Sequence, residues 1–251
     1  MSTDELRSNI DTIRKNMYEA ANSVGRDSTE IQLHAATKGV DPIRILDSIS
    51  CGLTDFGENW VQEATPKIES VANSLENAIS RPTWHMIGHL QSNKVKEALN
   101  VFDSIDTIDS LRLAKTVNRR AGENNIIMPA LLEIDFTDDP KRNGFRLGGN
   151  STERHKQFIA DIDEIGTLNN IELMGIMTVA PIGDTPEEAR PYFRQAAEIL
   201  HEIKMELPEH PLDKLSMGMT LDYHIAIQEG ATIVRLGTAI LVAGLQDEHT
   251  R

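Results

Sequence analysis

Lys38 closes the apolar run Ile31-Gln32-Leu33-His34-Ala35-Ala36-Thr37. Two short Ser/Gly/Thr stretches answer it far along the chain: Leu215-Ser216-Met217-Gly218-Met219-Thr220 and Arg235-Leu236-Gly237-Thr238-Ala239. A lysine at the end of an apolar strand presents a partly desolvated amine, a nucleophile suited to an aldehyde carbon. Hydroxyls and glycine N–H groups in turns ahead of helices suit a phosphate dianion. Taken singly, each feature has an ordinary structural reading. A strand-ending lysine reaches into solvent along its own stem, and glycines after strands make tight turns. Together, an aldehyde and a phosphate point to pyridoxal 5'-phosphate (PLP).

Arg235 alternates with Val234 and Leu236 at the end of the last apolar run, so its side chain can enter the same site. A guanidinium keeps its proton at physiological pH, and one placed against a pyridine nitrogen holds that nitrogen unprotonated. Such a ring is a weak electron sink, which disfavours transaminase-like chemistry. His85 and His89 lie four apart, but they fall in a strand-then-loop segment without a third evident ligand. No metal site is expected there.

The elements that must bring these residues together are legible as alternating short branched-apolar runs and longer charged segments of helical period, an α/β pattern. Strands are expected at 31–37, 53–56, 83–87, 101–105, 127–134, 172–179, 214–216 and 231–236. Helices are expected at 42–50, 60–74, 92–100, 110–122, 152–168, 186–206 and 221–229. Asp41-Pro42 and Thr185-Pro186-Glu187-Glu188 carry helix-start chemistry. The pattern fits a (β/α)8 TIM barrel with an added N-terminal helix over 3–24, a doubly wound sheet being the second choice. One domain, 1–251, is expected. In a barrel all the named residues sit at one end, and the phosphate stretches fall after strands seven and eight, where barrels commonly hold phosphate.

Bulk properties exclude several classes. The 39 acidic against 25 basic side chains, net −14, oppose a nucleic-acid backbone. Cys51 is the only cysteine. With no basic, apolar leader and no membrane-length apolar run, a cytoplasmic location is expected.

The chain resembles the pyridoxal phosphate homeostasis protein family, single-domain relatives of the alanine racemase N-terminal barrel. The resemblance runs through Thr37-Lys38, Asp55-Phe56-Gly57-Glu58-Asn59 with Gln62-Glu63, and the string from Trp84 to Lys94. It continues through Asn143-Gly144-Phe145, Gly175-Ile176-Met177, Leu215 to Met219 and Val234 to Ile240. It implies a covalent aldimine of PLP on Lys38 and phosphate contacts from Ser216, Gly237 and Thr238, with Met217 and Gly218 also expected among the cofactor-binding residues. It also implies Arg235 at the pyridine nitrogen and Asn59 near the ring. Thr37, Trp60, Arg142, Thr220-Leu221 and Val242 stand where the family commonly has Ser, Tyr, Lys, Ser-Asp and Gly. Thr220-Leu221 bears on the start of the helix beside the phosphate.

The resemblance further implies a carrier or buffer of the cofactor without turnover; a carrier is expected to release PLP to apo-forms of PLP enzymes, and a monomer is the expected state. With 14 residues following Gly237 (251 − 237), the second domain from which two-domain racemases draw their opposing acid/base is expected to be absent. A weak amino-acid racemase or lyase using Lys38, and a phosphate-binding barrel unrelated to PLP, are the alternative readings.

Overall fold

A computed structural model describes residues 1–75, 81–137, 139–210 and 212–241. Val242 and the residues after it lie outside this set. The strands are β1 Gln32–Ala36, β2 Asp55–Glu58, β3 Thr83–Met86, β4 Ser104–Ile108, β5 Met128–Asp135, β6 Phe145–Arg146, β7 Ile171–Thr178, β8 Lys214–Ser216 and β9 Ile233–Leu236. All pairings are parallel, in the order β4-β3-β2-β1-β9-β8-β7-β5, and β4 also pairs β5, which closes the sheet on itself. The two-residue β6 adds to β5 at Ile134 and Asp135. This closed barrel with helices between its strands is the expected (β/α)8 fold, not the doubly wound alternative.

The N-terminal helix α1, Thr3–Asn22, opens with a Ser2/Glu5 capping box. It buries Leu6, Ile10, Ile13 and Met17, a stripe of helical period, against α2 Pro42–Ser50, α8 Tyr223–Gln228 and α9 Thr238–Leu241. Between them lie α3 Val61–Ser74, α4 Val95–Ala98, α5 Leu111–Glu123, α6 Thr152–Gly166 and α7 Arg190–Glu206. Asp41, Ser110 and Ser151 cap α2, α5 and α6 through their side chains. The Thr185/Glu188 capping box forms as expected, but on a 3-10 turn, Pro186–Ala189, that precedes α7. Pro191, lacking an N–H, is the reason the ladder restarts there.

Two strands sit later than the sequence suggests. Val101 and Phe102 donate to Ala98 O and finish α4, so β4 begins only at Ser104. Leu53 donates to Ser48 O and finishes α2, so β2 begins at Asp55 and contains Glu58. The expected helix over 92–100 is a 3-10 turn at Ser92–Lys94 followed by the short α4.

The barrel interior has its own apolar plug of Leu131, Met177 and Ile233, with Met174 and Val179 against it, separate from the large core under the helices. Side chains two residues apart on a strand share a face. Glu133 and Asp135 therefore face inward above Leu131, and Arg235 faces inward above Ile233. His34 stands in register with Arg235 on one side and Asp55 on the other. The interior is thus apolar below and charged toward the C-terminal ends of the strands.

Candidate functional site

Lys38 follows β1 at that charged end, in the turn Thr37-Lys38-Gly39. Its side chain is exposed, not partly desolvated as expected, and among the described residues none hydrogen-bonds its ammonium. Asn59, half-buried, leaves the end of β2. Gly88 lets this segment lie close, because a Cβ there would overlap the Asn59 backbone.

Arg235 is buried at 5 % exposure. It donates from Nη1 to Ser216 Oγ at 2.5 Å and from Nη2 to the Thr178 carbonyl at 3.0 Å, and its N–H donates to Gly218 O. These bonds tie β7, β8 and β9 together and fix the guanidinium plane. Burial pulls the Arg235 pKa down, offset by Asp106, Glu133 and Asp222. Ser216 thus serves the arginine as an acceptor and retains its own O–H as a donor. Met217 is engaged twice: its side chain is in the core and its N–H donates to Ile233 O, so neither is free for a ligand.

The loops after β8 and β9 meet where Thr220 Oγ1 lies 3.4 Å from Thr238 Oγ1. The N–H groups of Gly218, Gly237 and Thr238 donate to none of the described residues. Gly218 has φ +92°, and a Cβ there would come within 2.6 Å of Ala226 Cβ; at Gly237 it would come within 3.1 Å of Ala36 O. Both glycines are fixed by backbone conformation or close approach. The Asp222 carboxylate accepts the Met219 N–H at 2.6 Å, and α8 starts at Tyr223, later than Leu221. Burial raises the Asp222 pKa against that bond. Hydroxyls and unengaged N–H groups on two adjoining glycine loops, beside a buried guanidinium and across from a lysine, are a donor set that fits an aldehyde-bearing phosphate ester.

Sequence reasoning missed the buried carboxylates of Glu133, Asp135 and Asp106. Burial, followed by the nearby Asp109 charge, pushes the Glu133 carboxyl up to about 7 against the pull of Arg235 and Arg142. Arg142 lies 3.5 Å from Asp135 and donates to the Val179 carbonyl. Below them, His85 Nε2 is 3.2 Å from Asp55 and its Nδ1 is 3.6 Å from Asp106, whose other oxygen accepts from Ser104. His34 stacks on the His85 ring, centroids 4.0 Å apart. Charged residues inside apolar strand runs, such as Glu133 in Leu131-Leu132-Glu133-Ile134-Asp135, were the available signal. His89, by contrast, is at the surface beside Asp109, 3.2 Å away.

The His34–His85 stack accommodates one positive charge, and it rests on His85. Burial opposes that charge, but Asp106 and Asp55 outweigh it and raise the pKa to about 9. Burial, then the His85 charge, pushes His34 down to about 3. The His85 contribution to stability is fully present below the model-peptide value of 6.5 and is lost as pH rises through about 9. For His34, stability is lost as pH falls below 6.5, because the unfolded chain takes up a proton that the folded chain refuses. For these two groups taken alone, denaturant midpoints measured against pH peak near 6.5 and fall on both sides, while Glu133, raised to about 7, works against the acid limb because its contribution is lost as pH rises from 4.5 through 7. His34→Leu flattens the acid limb between pH 6.5 and the carboxylate range; an unchanged slope there would contradict this protonation pattern.

The chain matches the model of the alanine racemase N-terminal domain over residues 3–243. It is 35% identical to the pyridoxal phosphate homeostasis protein of Aquifex aeolicus, covering 92% of this chain and 95% of that one. It is 32% identical to the protein of that name in Escherichia coli K12, covering 96% and 97%. PipY of Synechococcus elongatus, solved with PLP bound, superposes with a TM-score of 0.79 at 30% identity over 94% of this chain and 99% of that one. A Clostridium difficile alanine racemase shares the fold at TM-score 0.66 and 16% identity, and this chain spans 58% of its length. The chain therefore belongs to the pyridoxal phosphate homeostasis protein family, built on the alanine racemase N-terminal domain.

Proposed function

We propose that this chain binds PLP through Lys38 and carries or buffers the cofactor without turning over amino acids. The observation that carries this reading is the convergence of an exposed lysine, a buried arginine and two adjoining glycine loops at one end of the barrel. PLP bound in PipY and the names of the relatives support it.

In this reading the Lys38 amine adds to the cofactor's aldehyde carbon, the carbonyl oxygen leaves as water, and a Schiff base remains. Gly218, Gly237 and Thr238 hold the phosphate through their N–H groups, with the hydroxyls of Ser216 and Thr238. Arg235, locked by Ser216 and Thr178, faces the pyridine nitrogen, and Asn59 borders the ring. Met217 acts only by fixing the loop. Bound PLP supplies an electrophilic carbon and a conjugated ring, and an arginine at the nitrogen keeps that ring a poor sink for a carbanion.

The exposure of Lys38 suits release more than catalysis, which excludes water from the reacting centre. Ile43, Trp60, Ile182 and Leu221 are exposed in segments that follow β1, β2, β7 and β8, so the same end of the barrel offers apolar contact. In this reading the protein is a cytoplasmic monomer, one domain over 1–251, that passes PLP to apo-enzymes.

The test is to incubate PLP-loaded protein with an apo-transaminase and, separately, with a panel of L- and D-amino acids. Recovery of transaminase activity without racemisation or elimination is the expected result. Amino-acid turnover that disappears in Lys38→Ala would replace this reading with the racemase or lyase alternative.

A further inference from the structure

Among the described residues none hydrogen-bonds the Lys38 ammonium, whose charge acts on Glu63, yet the peptide groups on either side of it are held firmly. Thr37 N–H donates to Gly57 O at 2.9 Å, and its hydroxyl donates to Glu58 Oε1 at 2.6 Å. Its carbonyl accepts from Lys67 Nζ at 2.8 Å. On the other side Gly39, at φ +69°, donates its N–H to Glu63 Oε1 at 2.8 Å. The anchors are themselves joined: Lys67 Nζ is 2.5 Å from Glu58 and 3.4 Å from Glu63. Glu58 is fully buried and Lys67 nearly so, whereas Glu63 lies at the rim with its side chain 39% exposed.

Glu63 and Lys67 are four apart on α3, one turn of one face, and Glu58 ends β2. A lysine with four rotatable bonds reaches a target reproducibly only if its Cα and departure direction are fixed. We infer that Glu58, Glu63 and Lys67 form a clamp that positions Lys38 for imine formation, Glu63 setting the Gly39 side and Lys67 with Glu58 the Thr37 side. This rests on the reading of Lys38 given above. None of the three touches the cofactor in that reading, so they are positioning residues.

The test uses Glu63, because its rim position allows substitution without emptying the core. PLP is mixed with the wild type, Glu63→Ala and Glu63→Gln, and the rate of imine appearance is followed by absorbance. Hydrogen exchange of the segment 37–40 is measured without PLP, and thermal melts are recorded. Glu63→Ala is expected to slow imine formation by about tenfold. It also speeds exchange of the Gly39 amide, with a melt within a few degrees of the wild type. Glu63→Gln, whose amide oxygen still accepts the Gly39 N–H, restores the rate to within about twofold.

Wild-type exchange at Gly39 in Glu63→Ala would overturn the clamp as a structural device. Faster exchange with an unchanged imine rate would overturn its role toward Lys38. If the wild type itself forms no imine, the reading of Lys38 fails, and the exchange data still decide whether the turn is clamped.

Discussion

Lys67→Met is expected to lower stability by about 4 kcal/mol and the melting midpoint by roughly 10 °C. The substitution keeps the volume of the stem but removes the cation that faces Glu58 at 2.5 Å and the donor to Thr37 O. Glu58 is 0% exposed, so its carboxylate is left in the interior with, among the described residues, only the Thr37 hydroxyl as partner. Breaking one side of a buried pair costs more than the pair contributes, because the surviving charge keeps its desolvation penalty. The double variant Lys67→Met/Glu58→Met should accordingly lose less than the single one. Chemical denaturation of the three proteins decides this. A single variant within about 1 kcal/mol of the wild type would show that water or a rearranged side chain satisfies Glu58.

Lys38→Ala is expected to do the opposite: stability within about 0.5 kcal/mol of the wild type, with covalent capture of PLP abolished. The contrast follows from position. Lys38 is exposed and its ammonium has no hydrogen-bond partner among the described residues, whereas Lys67, on the neighbouring helix, is buried in a network. The variant retains the glycine loops after β8 and β9, so weak, reversible binding of PLP through its phosphate should survive. Equilibrium dialysis measures that residue of affinity, and borohydride reduction measures the covalent part. Loss of all binding together with loss of fold would mean that Lys38 is a structural residue.

Much of this arrangement could be read from the residues alone because barrel strands are regular. The runs ending at Ala36, Met86 and Leu236 are short, mostly apolar and bounded by turn residues, which is enough to put Lys38, His85 and Arg235 at the C-terminal end of the barrel. The capping chemistry of Asp41 and Thr185 was equally local and equally legible. Boundaries failed where apolar residues finish a helix and do not start a strand, as Leu53 and Val101-Phe102 do. The two-residue β6 carries no periodic signal at all.

At the site, the residue types pointed to the chemistry but not to the supporting bonds. Nothing in the spacing shows that Ser216 accepts from Arg235, or that the Met217 N–H is already committed to Ile233. Lys67 follows Pro66 in a charged helix and reads as a solvated side chain; only the tertiary fold carries it under the turn that bears Lys38. Long-range polar pairs of this kind depend on three-dimensional closure, which local pattern does not encode. Glu133 is the exception, since a carboxylate inside the expected strand 127–134 marks an inward position once a closed barrel is assumed, whereas Asp106 lies just past the expected strand 101–105.

Which amine captures the cofactor decides between the Lys38 reading and its alternatives. Purified protein mixed with PLP, reduced with borohydride, digested and mapped by mass spectrometry tests this directly. One adduct is expected, on the peptide carrying Lys38, and none in Lys38→Ala. An adduct confined to another lysine such as Lys67 or Lys214, or no adduct under conditions in which PLP is bound, would contradict it.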